Sequence, residues 1–278
     1  MEYKIIGDSC CDFNREQLED RLHFQSVPLQ LEIGDYHIAD DAQFHQKDFL
    51  ERMRTSSVGA KTACPSPEEF KLAMNCSAEM IFVVTLSEHL SGSYQSAVLG
   101  KQLYEEEYGV DHKKILIISS NSAAAGQYRL VMSLERMCKL NLSFEQIKEK
   151  IFYLRNQMKT YFVLESLETL RKNGRLSGLS AFFASALNIK PIMGASEGKI
   201  IKLDQARGMN RALAKMAEIA TKEGENLPEK ILCITHVNCP ERAQFVADHF
   251  KAMGVCKEIF ITEAMGVSTI YAGDGGIV

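Results

Sequence analysis

The chain has 278 residues, of which 46% are hydrophobic, and its formal net charge at pH 7 is −4. This length allows two domains or one large domain with a substantial core. The slightly acidic balance argues against nucleic-acid binding, and no apolar run approaches the length of a membrane span. The first residues do not resemble a signal peptide and instead predict a strand.

Strands and helices alternate in the first half of the chain. The predicted elements are a strand over 3–7, a helix over 14–21, a strand pair or hairpin over 24–33 with a turn at 34–35, helices over 48–55 and from 67, a strand over 80–85, a helix from 91, a strand over 114–118, and helices over 123–140 and 143–157. Capping boxes at Ser66 with Glu69 and at Ser143 with Gln146 mark two helix starts. Repeated strand–helix units predict a parallel sheet covered by helices.

The pattern changes in the second half. The predicted elements are a strand over 161–164, a short helix over 167–171, an apolar helix over 179–187, paired strands over 189–194 and 199–206, a helix over 209–222, a strand over 231–236, a helix over 238–253, and strands over 258–262 and 267–277. The fold class is therefore α/β in two domains. We expect an α/β/α domain with a short parallel sheet over 1–158 and a two-layer domain with a mixed sheet over 159–278.

The eight cysteines show no metal or disulfide signature. They form no Cys-x-x-Cys pair and have no zinc-ligand spacing. We therefore expect reduced thiols, mostly small apolar core residues, in a cytoplasmic protein with no metal site and no cofactor.

The most informative segment is the turn that contains Ser91, Gly92 and Ser93. It joins the carboxyl end of a predicted buried strand to the start of a helix, where free backbone N–H groups and the helix dipole favour an anion. The turn offers hydroxyl donors but no Lys or Arg. A single small anionic head such as a carboxylate suits it better than a polyphosphate.

Five other positions could contribute chemistry. Asp8 and Asp12 follow the first strand and either line the same crevice or cap the next helix. Thr62 belongs to a proline-stiffened loop, and Arg175 follows a glycine turn, where it either pairs with an anion or is an ordinary surface residue. His236 ends a strand, but no orienting carboxylate or nucleophile is evident for it.

Taken together, these segments resemble the DegV family over nearly the whole chain. The stretches that carry the resemblance are Asp-Ser-Cys-Cys-Asp at 8–12, Thr-Ala-Cys-Pro-Ser-Pro-Glu-Glu-Phe at 62–70, Leu-Ser-Gly-Ser-Tyr-Gln-Ser-Ala at 90–97, the Asn-Gly-Arg region of 167–177, and Leu-Asn-Ile-Lys-Pro-Ile-Met at 187–193. The resemblance implies a two-domain protein that binds one long-chain fatty acid between its domains. It also implies a non-catalytic subunit of a bacterial fatty acid kinase, which presents the carboxyl group to a separate ATP-dependent subunit for phosphorylation to an acyl phosphate.

The resemblance assigns residues to this role. The carboxylate-binding group is Thr62, Ser91, Gly92, Ser93 and Tyr271; the tail pocket contains Phe182, Phe183, Ala186, Leu187 and Ile189. Arg175 is assigned to docking of the partner or to phosphoryl transfer. Tyr271 stands where the family often has a histidine, and a phenol donates a hydrogen bond but is not a base at neutral pH.

Two alternatives remain from the residues themselves. A stand-alone enzyme acting on a small carboxylated or phosphorylated substrate would use Arg175, His236 and Asp12 in a compact polar pocket. An interaction module would use the apolar helix over 179–187 as a docking surface. The lipid-binding hypothesis requires instead an apolar channel that runs inward from the hydroxyl-rich corner.

Overall fold

The computed structural model describes residues 2–13, 23–176 and 188–278. The strands are β1 (Tyr3–Asp8), β2 (Phe24–Val27), β3 (Gln30–Ile33), β4 (Tyr36–Ala39), β5 (Lys61–Ala63), β6 (Met80–Thr85), β7 (Lys114–Ser119), β8 (Tyr161–Phe162), β9 (Ile189–Ser196), β10 (Lys199–Arg207), β11 (Ile231–His236) and β12 (Glu258–Glu263). The helices are α1 (Gln46–Thr55), α2 (Pro67–Met74), α3 (Ser93–Tyr108), α4 (Ala125–Lys139), α5 (Phe144–Gln157), α6 (Glu168–Lys172), α7 (Met209–Glu223), α8 (Pro240–Met253) and α9 (Gly266–Ala272).

The first half forms a three-layer α/β/α arrangement. Its central sheet has four parallel strands in the order β2-β1-β6-β7. All six residues of β6 are buried, as expected for a strand covered on both faces. Helices α4 and α5 pack against one face and α2 and α3 against the other. The predicted α/β fold with a short parallel sheet is confirmed.

The two predicted capping boxes are present. At the start of α2 the Glu69 backbone N–H donates to Ser66 Oγ at 3.3 Å, and the Ser66 N–H donates to Glu69 Oε2 at 2.7 Å. Ser143 and Gln146 make the same reciprocal pair at the start of α5. Each box satisfies two backbone donors that a helix end otherwise leaves unpaired.

A small antiparallel sheet in the order β4-β3-β5 lies beside this arrangement. Its hairpin turns at Gly34, which has a positive φ of 58° that glycine adopts without strain. Apolar residues of this sheet and of α1 form a core cluster with Val267 and Ile270 of α9. The sheet thus brings Thr62, in β5, close to the last helix of the chain.

The second half combines antiparallel and parallel pairing. Strands β10-β9-β8 are antiparallel, and β11 and β12 are parallel. Ile277 bridges Val163 and His236 and thereby links the two groups of strands. Helices α7 and α8 contribute to the same apolar cluster as these strands.

The predicted strand over 267–277 is wrong, because residues 266–272 form helix α9. Its β-branched residues favour a strand locally, but hydrogen bonds from distant carboxylates hold its first turn, as described below. The loop predicted around Thr62 also contains strand β5. The predicted helices over 14–21 and 179–187 lie outside the described residues.

The boundary between residues 158 and 159 stays a prediction. Helix α9 packs with the first-half cluster around Leu29 and Phe49, whereas Ile277 pairs with second-half strands. Helix α9 therefore packs on the first half of the chain, although the residues on both sides of it in sequence belong to the second half.

Candidate functional site

Two predicted site residues meet at a corner between the two halves of the chain. Thr62 Oγ1 and Tyr271 OH lie 3.0 Å apart and share a hydrogen bond. The guanidinium of Arg175 lies over the Tyr271 ring, 5.5 Å from its centroid, and its Nε donates to the Leu90 carbonyl at 3.0 Å. We call Thr62, Leu90, Arg175 and Tyr271 the hydroxyl corner. Its two hydroxyls and one guanidinium are all suited to an anionic group.

The Ser91 turn adjoins this corner. Leu90 belongs to the corner, and a Cβ added to Gly92 would lie 3.2 Å from Cys64 Sγ, two residues beyond Thr62. Ser91 is half-buried, and its Oγ accepts a hydrogen bond from the Ser93 N–H at 3.2 Å. The predicted strand–turn–helix geometry is therefore present, with α3 beginning at Ser93.

Ser93 itself faces a different partner. Its hydroxyl is buried and donates to Asp8 Oδ2 at 2.7 Å. A serine hydroxyl can donate one hydrogen bond, and Ser93 donates it to Asp8. A ligand carboxylate bound at this turn would therefore accept its hydrogen bonds from neighbouring groups.

An apolar pocket lies behind the hydroxyl corner. Tyr271 and Arg175 contribute to its wall. The other described lining residues come from both halves of the chain: Cys10, Leu86, Leu90, Asn121, Ser122, Ala123, Ala124, Thr160, Phe162, Leu164, Leu170, Ala195, Gly198, Ile200, Val267, Ser268, Ala272 and Val278. Apolar side chains of both halves therefore lie behind Tyr271 and Arg175, and the acyl channel stays a prediction.

The volume of this pocket is about 100 Å³. Of the predicted tail residues, Phe182, Phe183, Ala186 and Leu187 lie outside the described residues.

Hairpin β9–β10 supplies one wall of the pocket. Ala195, Gly198 and Ile200 line it, whereas Ile189, the remaining predicted tail residue, is half-buried at the start of β9 and is not among the lining residues. The tip of the hairpin touches the first half of the chain, because Ser87 Oγ donates to the Gly198 carbonyl at 2.7 Å. This contact joins the hairpin that lines the pocket to the loop after β6.

Two buried carboxylates hold the start of α9. Asp40 accepts hydrogen bonds from the N–H groups of Gly266 and Val267 at 2.7 and 3.0 Å. Asp12 accepts from the Met265 N–H and the Ser268 hydroxyl, both at 2.8 Å. Negative charge at a helix start is favourable, so these residues position the helix that carries Tyr271. Asp12 therefore binds the start of α9, and the predicted helix over 14–21, which Asp12 was expected to cap as an alternative, lies outside the described residues.

Burial controls the protonation of these acids. Removal from water raises the pKa of Asp40 to about 6 and raises the pKa of Asp12 well above its ordinary value. Asp8 is also buried, and desolvation raises its pKa although Gln127, Ser93 and backbone N–H groups donate to it. Asp40 was missed in the sequence because no recognisable motif surrounds it.

The residues of the alternative enzyme hypothesis have separate structural roles. Asp12 binds the start of α9, and Arg175 donates to the Leu90 carbonyl. His236 Nδ1 accepts from the Cys239 N–H at 3.3 Å, and burial lowers the pKa of its imidazole. The pocket at the corner is apolar rather than the compact polar pocket that this hypothesis requires.

The described residues, 2–13, 23–176 and 188–278, contain neither a metal-ligand cluster nor a membrane-spanning helix. In these ranges no group of three or more His, Cys, Asp or Glu side chains is arranged to hold a metal ion. In the same ranges no helix combines the length and apolarity needed to cross a bilayer. All eight cysteines are free thiols.

Comparison with known proteins gives matches along the whole chain. A family model described as an uncharacterised protein of the DegV family matches residues 2–278. A DegV domain-containing protein of Streptococcus pyogenes serotype M1 is 34% identical over 281 residues, which cover 100% of this chain and 98% of that protein.

Solved structures give a consistent picture. A DegV family protein from Ruminococcus gnavus, refined with vaccenic acid, is 45% identical with a TM-score of 0.94, and the match covers 99% of this chain and 98% of that one. The Streptococcus pneumoniae fatty acid kinase B3 protein, loaded with linoleic acid, is 32% identical with a TM-score of 0.90, over 100% of this chain and 98% of that one. The chain described here belongs to the DegV family.

Proposed function

We propose that this protein binds one long-chain fatty acid between the regions 1–158 and 159–278, with the carboxylate at the hydroxyl corner and the tail in the apolar pocket behind it. The observation that carries the proposal is the Thr62–Tyr271 hydroxyl pair at the edge of that pocket. The vaccenic and linoleic acids of the two similar structures support the same class of ligand.

The head group would be held by several neutral donors. Thr62 and Tyr271 can rotate their hydroxyls toward a carboxylate, and Ser91 and the exposed backbone at Gly92 lie at the adjoining turn. Hydrogen bonds to a charged acceptor are stronger than those between neutral groups. Ser93 supports this turn through Asp8.

The tail would supply most of the binding free energy. Burial of about fifteen methylenes gives roughly 12 kcal/mol at about 0.8 kcal/mol each. Ordering of the chain and association consume much of this.

We propose further that the protein is a cytoplasmic, non-catalytic subunit that presents the bound carboxylate to an ATP-dependent kinase subunit. The similarity to a fatty acid kinase B3 protein supports this role. In the reaction a carboxylate oxygen attacks the γ-phosphorus of ATP. The bond between this phosphorus and the β–γ bridging oxygen breaks, so the products are ADP and an acyl phosphate. Arg175 is half-buried at the corner, where a guanidinium could contact the partner or the transferred phosphoryl group.

Binding of oleate to delipidated protein tests the head-group site. Thr62→Ala combined with Ser91→Ala should weaken binding by at least about tenfold, because two donors to a charged acceptor are lost. Thr55→Ala combined with Ser77→Ala removes two hydroxyls at exposed positions and should leave the affinity unchanged. Equal affinities in the two double variants would place the carboxylate elsewhere.

The kinase role has its own test. With ATP and a bacterial ATP-binding fatty acid kinase subunit, the protein should support acyl phosphate formation, which hydroxylamine traps as a hydroxamate. Arg175→Ala should lower the rate while oleate still binds. If no kinase subunit that serves similar DegV proteins yields product, the proposed kinase role is wrong. The proposal that the protein binds a fatty acid would not be affected by this result.

A further inference from the structure

Residues of α4, α5, α7, β11 and α8 line a second, larger cavity. Its volume is about 620 Å³, within the range of roughly 300 to 1,000 Å³ that is usual for small-molecule sites. Among the described residues it shares only Val278 with the pocket behind the hydroxyl corner. Its lining includes the buried apolar side chains of Ile234, Val246, Phe250 and Ile277.

Arg129, on α4, is a half-buried cation on the wall of this cavity. Its Nη1 donates to the Ser133 hydroxyl. Within the described ranges its guanidinium forms no ion pair with a carboxylate, and Glu258 attracts it only from a longer distance. Removal from water lowers its pKa. A partly desolvated, unpaired cation is unfavourable by itself and becomes favourable when an anion pairs with it.

The remaining charges on the lining lie nearer to water. Glu223, Glu225, Glu229 and Lys159 are exposed, whereas Lys230 is half-buried. The acidic side chains are therefore solvated at the rim, and both half-buried charged side chains on the described lining are positive. The wall combines a large apolar surface with a guanidinium that forms no ion pair with a described carboxylate side chain.

We propose that this cavity binds a second ligand, an amphipathic anion with an aliphatic chain and one carboxylate head. The carboxylate would pair with the Arg129 guanidinium, whose planar donors match two carboxylate oxygens. The chain would lie against the apolar wall near Ile234 and Phe250. This site is separate from the one in the proposed function and does not depend on it.

Native mass spectrometry of delipidated protein with dodecanoate tests the inference. The unaltered protein should bind two molecules per chain, and Arg129→Met should bind one. Arg136→Met is the matched control, because it makes the same change at an exposed position of the same helix, and it should still bind two. Arg129→Lys keeps a positive charge and should retain a weakened second site. Thermal melting of each variant verifies that it is folded.

The outcomes separate the two proposals. Equal numbers of bound molecules in the unaltered protein and in Arg129→Met overturn the second site. The Thr62→Ala and Ser91→Ala double variant should lose the other molecule and keep the one that depends on Arg129. If that double variant keeps both while Arg129→Met keeps one, the second site stands and the proposed head-group site fails.

Discussion

Thr62 and Tyr271 are separated by 209 positions in the sequence, and their hydroxyl oxygens lie 3.0 Å apart. Thr62 belongs to the antiparallel sheet β4-β3-β5, and Tyr271 belongs to α9, which packs against the same cluster of apolar residues. The packing of the last helix on the first half of the chain thus creates the hydroxyl corner.

Removal of the phenol should weaken fatty acid binding. Tyr271→Phe keeps the ring beside Arg175 but loses one hydrogen-bond donor, so oleate affinity measured by calorimetry should fall by about fivefold, equivalent to about 1 kcal/mol. Tyr153→Phe makes the same change on α5 at a side chain that is 70% exposed and should have no effect. An unaltered affinity in Tyr271→Phe would show that the carboxylate does not contact this phenol.

Ser93 should contribute to stability more than to ligand affinity. Ser93→Ala removes a donor from the buried Asp8 carboxylate, which should lower the free energy of unfolding in urea by about 1–3 kcal/mol. Ser96→Ala, on the same helix, loses only a 3.8 Å contact with Cys64 Sγ and should be nearly neutral. If Ser93→Ala keeps its stability but loses affinity for oleate, the Ser93 hydroxyl instead donates a hydrogen bond to the ligand.

Asp40 should make stability depend on pH. Burial raises the pKa of this carboxyl from 3.8 to about 6, so the folded chain binds its proton more tightly than the unfolded chain does. This contribution is fully present below the unfolded pKa, and the free energy of unfolding falls as pH rises from about 4 to about 6, by on the order of 2–3 kcal/mol.

Urea unfolding across this pH range measures the effect. Asp40→Asn removes the titrating group, so its free energy of unfolding should decline less steeply than that of the unaltered protein. Asp111→Asn, at an exposed position, should keep the original slope. Asp12 also has a raised pKa and contributes its own slope in all three proteins. Identical slopes in Asp40→Asn and the unaltered protein would refute the assignment to Asp40.

Gly266 should not tolerate a side chain. A Cβ at this position would lie 2.2 Å from Leu31 Cδ1 and 2.7 Å from Asp40 Oδ1. Gly266→Ala must therefore push α9 away from its carboxylate partner, with an expected loss of about 1–3 kcal/mol and a lower melting temperature. Gly59→Ala meets no atom within 4 Å and serves as the control. Equal melting temperatures would mean that α9 adjusts without cost.

Local signals in the sequence predict much of the first half. The apolar run of β6, the capping boxes at Ser66 and Ser143, and the turn at Gly34 depend on neighbouring residues and are all confirmed. The strand–turn–helix geometry at Ser91 belongs to the same class, because it too depends on neighbouring residues.

Features that depend on distant contacts escaped prediction. The residues of α9 favour a strand locally, and the helix is held by Asp12 and Asp40, more than 200 positions away. Ser93 was predicted to donate to the ligand, because its position in the sequence does not reveal its buried partner, Asp8. The width of the pocket likewise depends on how side chains from both halves pack, which no local pattern encodes.

The lipid content of the purified protein is the most direct test of fatty acid binding. Protein purified from a bacterial host is denatured, extracted with organic solvent and analysed by mass spectrometry for fatty acids, with the amount compared to the amount of protein. We predict about one long-chain fatty acid at the hydroxyl corner per chain, and the Thr62→Ala and Ser91→Ala double variant should carry less. Protein that yields no fatty acid, and that takes up neither added oleate nor added palmitate, would contradict it.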